Sequence, residues 1–67
     1  MNKTWNVLVD GHHVGTVHEQ NEGLARCAAL SRFGVADDEF AAMGPREQND
    51  VRNFGIPPDA EFVVLPA

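Results

Sequence analysis

From Trp5 to Asp10 the chain alternates, Trp5, Val7 and Val9 against Asn6, Leu8 and Asp10, the period of a strand with one buried face. Asp10-Gly11 then supplies the two positive-φ residues of a type I′ turn, so a second strand folds back on the first. In that register Val9 faces His12, Val7 faces Val14 and Trp5 faces Thr16, which gathers Trp5, Val7, Val9 and Val14 on one side. The other side then holds Asn6, Leu8, His13, Gly15 and Val17, a mixed set that leaves it partly open to water or to a partner. Gly15 is a candidate bulge.

The period changes after Asn21, a helix cap followed by Glu22 in the first turn. Leu24, Ala25, Cys27, Ala28, Ala29, Leu30 and Phe33 give this helix a broad apolar surface, and Gly34 stops it. Two later segments echo each other: Phe33 to Met43 reads FGVADDEFAAM and Phe54 to Leu65 reads FGIPPDAEFVVL. Propensity alone makes Asp38 to Met43 a short helix, whereas the echo pairs Glu39 to Met43 with the strand-like run Glu61 to Leu65 and favours a third strand there. Pro45 suits the first position of a second helix running to about Phe54, with Val51 and Phe54 facing inward. Ile56-Pro57-Pro58 is an extended connector.

These elements predict one small α+β domain over residues 1–67. It comprises an N-terminal hairpin packed on one main helix, a short second helix and a C-terminal strand completing a three- or four-stranded sheet. The predicted core is Trp5, Val7, Val9, Val14, Leu24, Cys27, Ala28, Leu30, Phe33, Phe54, Phe62 and Val64.

A 67-residue chain buries only about 60% of its unfolded surface, which leaves little room for an active-site cavity beside the core. Its 43% hydrophobic and 22% charged content is that of a globular domain. Apolar runs are short and Met1 to Trp5 begins no leader, so a cytoplasmic location is expected, in a bacterium or one of its viruses. The lone Cys27 excludes an internal disulfide. Net charge is −5, and all of it falls after residue 33, where Asp37, Asp38, Glu39, Glu47, Asp50, Asp59 and Glu61 outweigh Arg46 and Arg52. Such a field repels phosphate backbones and anionic membranes and attracts basic surfaces. The same carboxylates also suit solvated loops and turns.

Motif chemistry is sparse. His12 and His18, on one strand face, would lie about 20 Å apart, too far to share an ion. No metal or other cofactor is expected. Cys27 reads as a small helix residue rather than a nucleophile, the carboxylates form no opposed acid/base pair, and no enzyme activity is expected. Asn2-Lys3-Thr4 is a glycosylation sequon without a secretory context. Ala29, Phe33, Gly34, Val35, Phe40 and Met43 follow the spacing of a helix-turn-helix whose second helix starts near Asp37. Asp37-Asp38-Glu39 would then oppose phosphates, so direct nucleic-acid binding is disfavoured.

The remaining expectation is a non-catalytic protein-binding module, a small acidic regulator or inhibitor. Its partner would present a basic surface, or be a second copy. One form of this reading is an inhibitor, of the kind phages encode, that covers the basic groove of a defence or nucleic-acid-processing complex. Candidate binding residues are Asp37, Asp38, Glu39, Leu8, Val17 and His13.

Overall fold

The computed structural model describes residues 2–67. Their order is β1 (Lys3–Val9), β2 (His12–Glu19), α1 (Glu22–Phe33), α2 (Asp37–Ala42), α3 (Pro45–Phe54) and β3 (Phe62–Pro66). The described strands form one antiparallel sheet in the order β2-β1-β3, and the fold is α+β. Asp10 at φ 48° and Gly11 at φ 85° build the turn that the sequence calls for.

One extra residue then changes which side chains share a face. Val9 faces His12 as expected, but the register shifts after Leu8, so that Val7 faces Gly15 and Trp5 faces Val17. Val14 is the extra residue of a bulge, and it still packs against the core. Beyond it every β2 side chain changes face. Val17, expected on the outer side, is therefore buried at 3% exposure. His18 moves to the outer face that also carries His13, while His12 stays on the helix side, where its Nε2 donates to the Asn53 carbonyl oxygen at 3.1 Å.

Asn21 caps α1, its Oδ1 accepting from the Leu24 N–H at 2.9 Å. The helix meets the sheet through Ala25 and Ala29, both fully buried, with Ala28 and Phe33 packed alongside. Leu24, Cys27 and Leu30, all expected in the core, are exposed. Apolar residues occupy most of the circumference, so their spacing does not select a face. Close approach to the sheet does, because only the alanine edge lets the helix backbone lie against the valines.

Asp37–Ala42 is helical, which corrects the strand expected over Glu39 to Met43 and leaves three described strands. Asp37, Asp38 and Glu39 complement the positive end of a helix, and Ala41 and Ala42 favour its continuation; all are poor strand formers. The second half of the echo differs in kind, because Pro57 and Pro58 bar a helix and Val63-Val64 favours a strand. The echo nevertheless has a structural counterpart. Both Phe-Gly pairs end helices, and the two ends lie side by side: Ile56 N–H donates to the Phe33 carbonyl at 2.9 Å and Val35 N–H to that of Ile56 at 3.2 Å.

Ile56 is buried at this junction, whereas Phe54, expected inside, is 71% exposed. The α2–α3 pair is tied by Gln48 Nε2 donating to the Phe40 carbonyl at 2.9 Å and by Arg52, whose guanidinium lies 5.1 Å from the Phe40 ring centre. The molecule measures 40 × 20 × 14 Å with a radius of gyration of 12.1 Å, against about 11 Å for a compact chain of this length.

Candidate binding face

The helices that pack on the sheet, α1 against β2 and β3 and α3 against β2, lie on the side of Val7, Val9, Val17 and Val64. The opposite side is uncovered. The registers place on it Thr4, Asn6 and Leu8 from β1, His13, Thr16 and His18 from β2, and Val63 and Leu65 from β3. Leu8 is flanked by His13 on one side and by Val63 on the other, and Leu65 sits opposite Asn6. Val63 and Leu65 are 48% and 49% exposed, so Leu8, Val63 and Leu65 form an apolar patch at the β1–β3 side.

The β2 side is polar and largely self-satisfied. His13 Nε2 donates to Asn6 Oδ1 at 3.1 Å, and His18 Nδ1 shares a hydrogen bond of 3.1 Å with Thr4 Oγ1. Among the strand residues that the registers place on this face none is Asp, Glu, Lys or Arg, but Asp10 and Glu61 border it, lining one shallow depression together with Leu8 and Val63.

Of the residues singled out in the sequence, Leu8 and His13 are brought together here as direct cross-strand neighbours. Val17 is withdrawn into the core by the bulge. Asp37, Asp38 and Glu39 stand exposed on the first turn of α2, with Asp38 Oδ1 accepting from the Glu39 N–H at 3.0 Å. They constitute a second, separate surface. Val63 and Leu65 were missed, although their signal is visible: Phe62-Val63-Val64-Leu65 is apolar on both alternations, as in strands covered on both faces.

The exits of β3 are already blunted. Ala67 N–H donates to the Thr4 carbonyl at 2.9 Å, so in the alternating ladder Val63 and Leu65 bond to β1 while Phe62, Val64 and Pro66 direct their backbone outward. Pro66 has no N–H, and Arg26 occupies the Phe62 carbonyl at 3.4 Å while stacking 4.6 Å from that ring's centre. Addition of a further strand at this edge is disfavoured; the face remains open.

Other features offer less. A shallow depression of about 210 Å³ is lined by Leu8, Asp10, Gly11, Glu61, Phe62 and Val63, below the about 300 Å³ at which small-molecule sites begin. His13 and His18 share a face, yet each is engaged with its own β1 neighbour, and among the described residues no three potential ligands converge. The helix expected near Asp37 by the helix-turn-helix spacing exists, but its six residues include no basic side chain. Among the described residues no helix is long and apolar enough to cross a membrane.

No protein-family model, curated protein or solved structure matches the chain.

Proposed function

We propose that this chain is a non-catalytic protein-binding module whose contact surface is the uncovered face of its sheet. The observation that carries the reading is the patch of half-buried Leu8 with exposed Val63 and Leu65, on the side of a three-stranded sheet that receives no helix. Apolar residues placed together on one face lose free energy in water, about 25 cal/mol per Å², and a partner that removes them from solvent recovers it. A photo-crosslinking residue at position 65 tests this in the native host. A protein adduct from position 65, absent from the same probe at position 30 on α1, is expected. No adduct from position 65, or equal adducts from both positions, overturns the reading.

The acidic first turn of α2 supports a second contact, with a basic partner. Asp37, Asp38 and Glu39 are exposed on one short helix, and a positively charged surface would gain from them at low ionic strength. Changing them together to Asn, Asn and Gln should release such a partner while leaving the position-65 adduct intact. If both are lost together, the two surfaces are not separate.

A further inference from the structure

We infer that the partner of the open sheet face brings an arginine side chain into the depression at the end of the apolar strip, its stem on Leu8 and Val63 and its guanidinium between Asp10 and Glu61; this rests on the reading of that face as a protein-binding surface. Leu8 and Val63 are cross-strand partners. Asp10 follows Leu8 by two residues and Glu61 precedes Val63 by two, so the alternation of each strand carries a carboxylate to the same end of the same strip. There the two line one hollow of about 210 Å³ together with Leu8, Gly11 and Val63.

Charge selects the occupant. Asp10 and Glu61 are both exposed, and like charges brought together across a strand pair repel. Among the described residues no cation of the chain answers them: Arg52 pairs with Asp59 at 3.6 Å, Arg26 is turned to the carbonyl oxygen and ring of Phe62, and Lys3 stands at the far end of β1. A cationic group in the hollow removes the repulsion. A purely apolar one leaves it in place, and an acidic one adds to it.

The apolar floor narrows that cation to a long side chain. A metal ion finds no third ligand among the described residues and gains nothing from Leu8 and Val63. A basic side chain lays its stem along apolar surface and keeps its head at the polar rim. Arginine suits the site better than lysine, because its planar head carries donors on several edges, reaches two carboxylates at once and is less strongly hydrated than an ammonium. Asp37, Asp38 and Glu39 share the charge but stand exposed on the first turn of a helix. One side chain also asks little of a small face, so a short segment of a partner is enough. Covered by that segment, the pair is screened less than the turn of α2, and substitution rather than salt reveals it.

An NMR titration of the purified chain with N-acetyl-arginine methylamide, at constant ionic strength, tests this. Half-saturation is expected on the order of 10 mM, with shifts centred on the amides of Leu8, Gly11 and Val63 and not on those of Asp37, Asp38 and Glu39. Asp10→Asn with Glu61→Gln, which keeps a residue suited to positive φ in the turn, should weaken binding at least about fivefold, as should neutral citrulline in place of arginine in the probe. Val63→Thr, which keeps both carboxylates and the strand propensity, should weaken it at least about twofold by roughening the floor for the stem. Shifts that do not saturate, an equal response at the α2 turn, or citrulline binding as well as arginine each overturns the inference. So does displacement of the probe by about 1 mM calcium chloride, which would make the hollow a metal site. A position-65 adduct undiminished in the Asp10→Asn, Glu61→Gln variant overturns the arginine and leaves the protein-binding face standing, whereas no adduct from the parent chain sinks both.

Discussion

Gly15 shows how one side chain, or its lack, decides the contents of two faces. A Cβ built there would collide with the Phe33 ring, Cζ and Cε1 of which lie over the glycine. The bulge at Val14 and the ring above Gly15 thus belong to one arrangement, in which β2 yields space to the end of α1. Gly15→Ala should destabilise the fold by about 1–3 kcal/mol through overpacking, measured by urea denaturation. Adding Phe33→Leu should recover part of the loss, because the two positions are in contact. If the pair is merely additive, the ring is not what the methyl group meets. Gly11 has a different reason for being glycine. Its φ of 85° makes Gly11→Ala cost about 1–2 kcal/mol by backbone strain, and no compensating change at Phe33 should relieve it. The turn and the Asn21 cap were legible in the sequence because both are local. Gly15 also marked the bulge, but the consequence for Val17 was not legible, since the register is held by a ring that arrives from the far end of the next helix.

At the level of elements, the strands and α1 could be read from period and caps, while the face of α1 could not. Its leucines attract the eye, yet the buried stripe is Ala25 and Ala29, and a helix clad in apolar residues on most sides gives periodicity nothing to select. This makes an asymmetric prediction. Ala29→Leu should cost about 1–3 kcal/mol by forcing α1 away from the sheet, whereas Leu30→Gln, at an exposed position, should stay within about 0.5 kcal/mol of the parent. Chemical denaturation of the two variants separates the possibilities, and a larger loss at Leu30 would mean that the helix is rotated from its described orientation. For α2 the echo misled where propensity did not: the two segments share their Phe-Gly starts, which pair in space, but the residues that follow obey their own local preferences. Asp37, Asp38 and Glu39 were identified as exposed carboxylates, and they are. Their helix was the weaker of two readings until the backbone resolved it.

Across the whole molecule, the acidic first turn of α2 and the apolar strip of the sheet are separate surfaces. The carboxylates of the second half lie on α2, α3 and the loop to β3, whereas the strand residues facing the open side of the sheet are uncharged, with Asp10 and Glu61 at its border. A contact made through the acidic turn and a contact made through the apolar strip should therefore differ in how they respond to salt. Counter-ions screen the attraction between Asp37-Asp38-Glu39 and a basic surface, so that complex weakens as ionic strength rises. Burial of Leu8, Val63 and Leu65 is an apolar interaction, which counter-ions do not screen. The position-65 adduct should accordingly keep its yield between about 20 mM and about 500 mM sodium chloride in a lysate, whereas a partner held by Asp37, Asp38 and Glu39 should be released. Crosslinking yield at the two salt concentrations checks the difference, and a position-65 adduct that falls with salt would place the contact on the α2 carboxylates instead of the sheet.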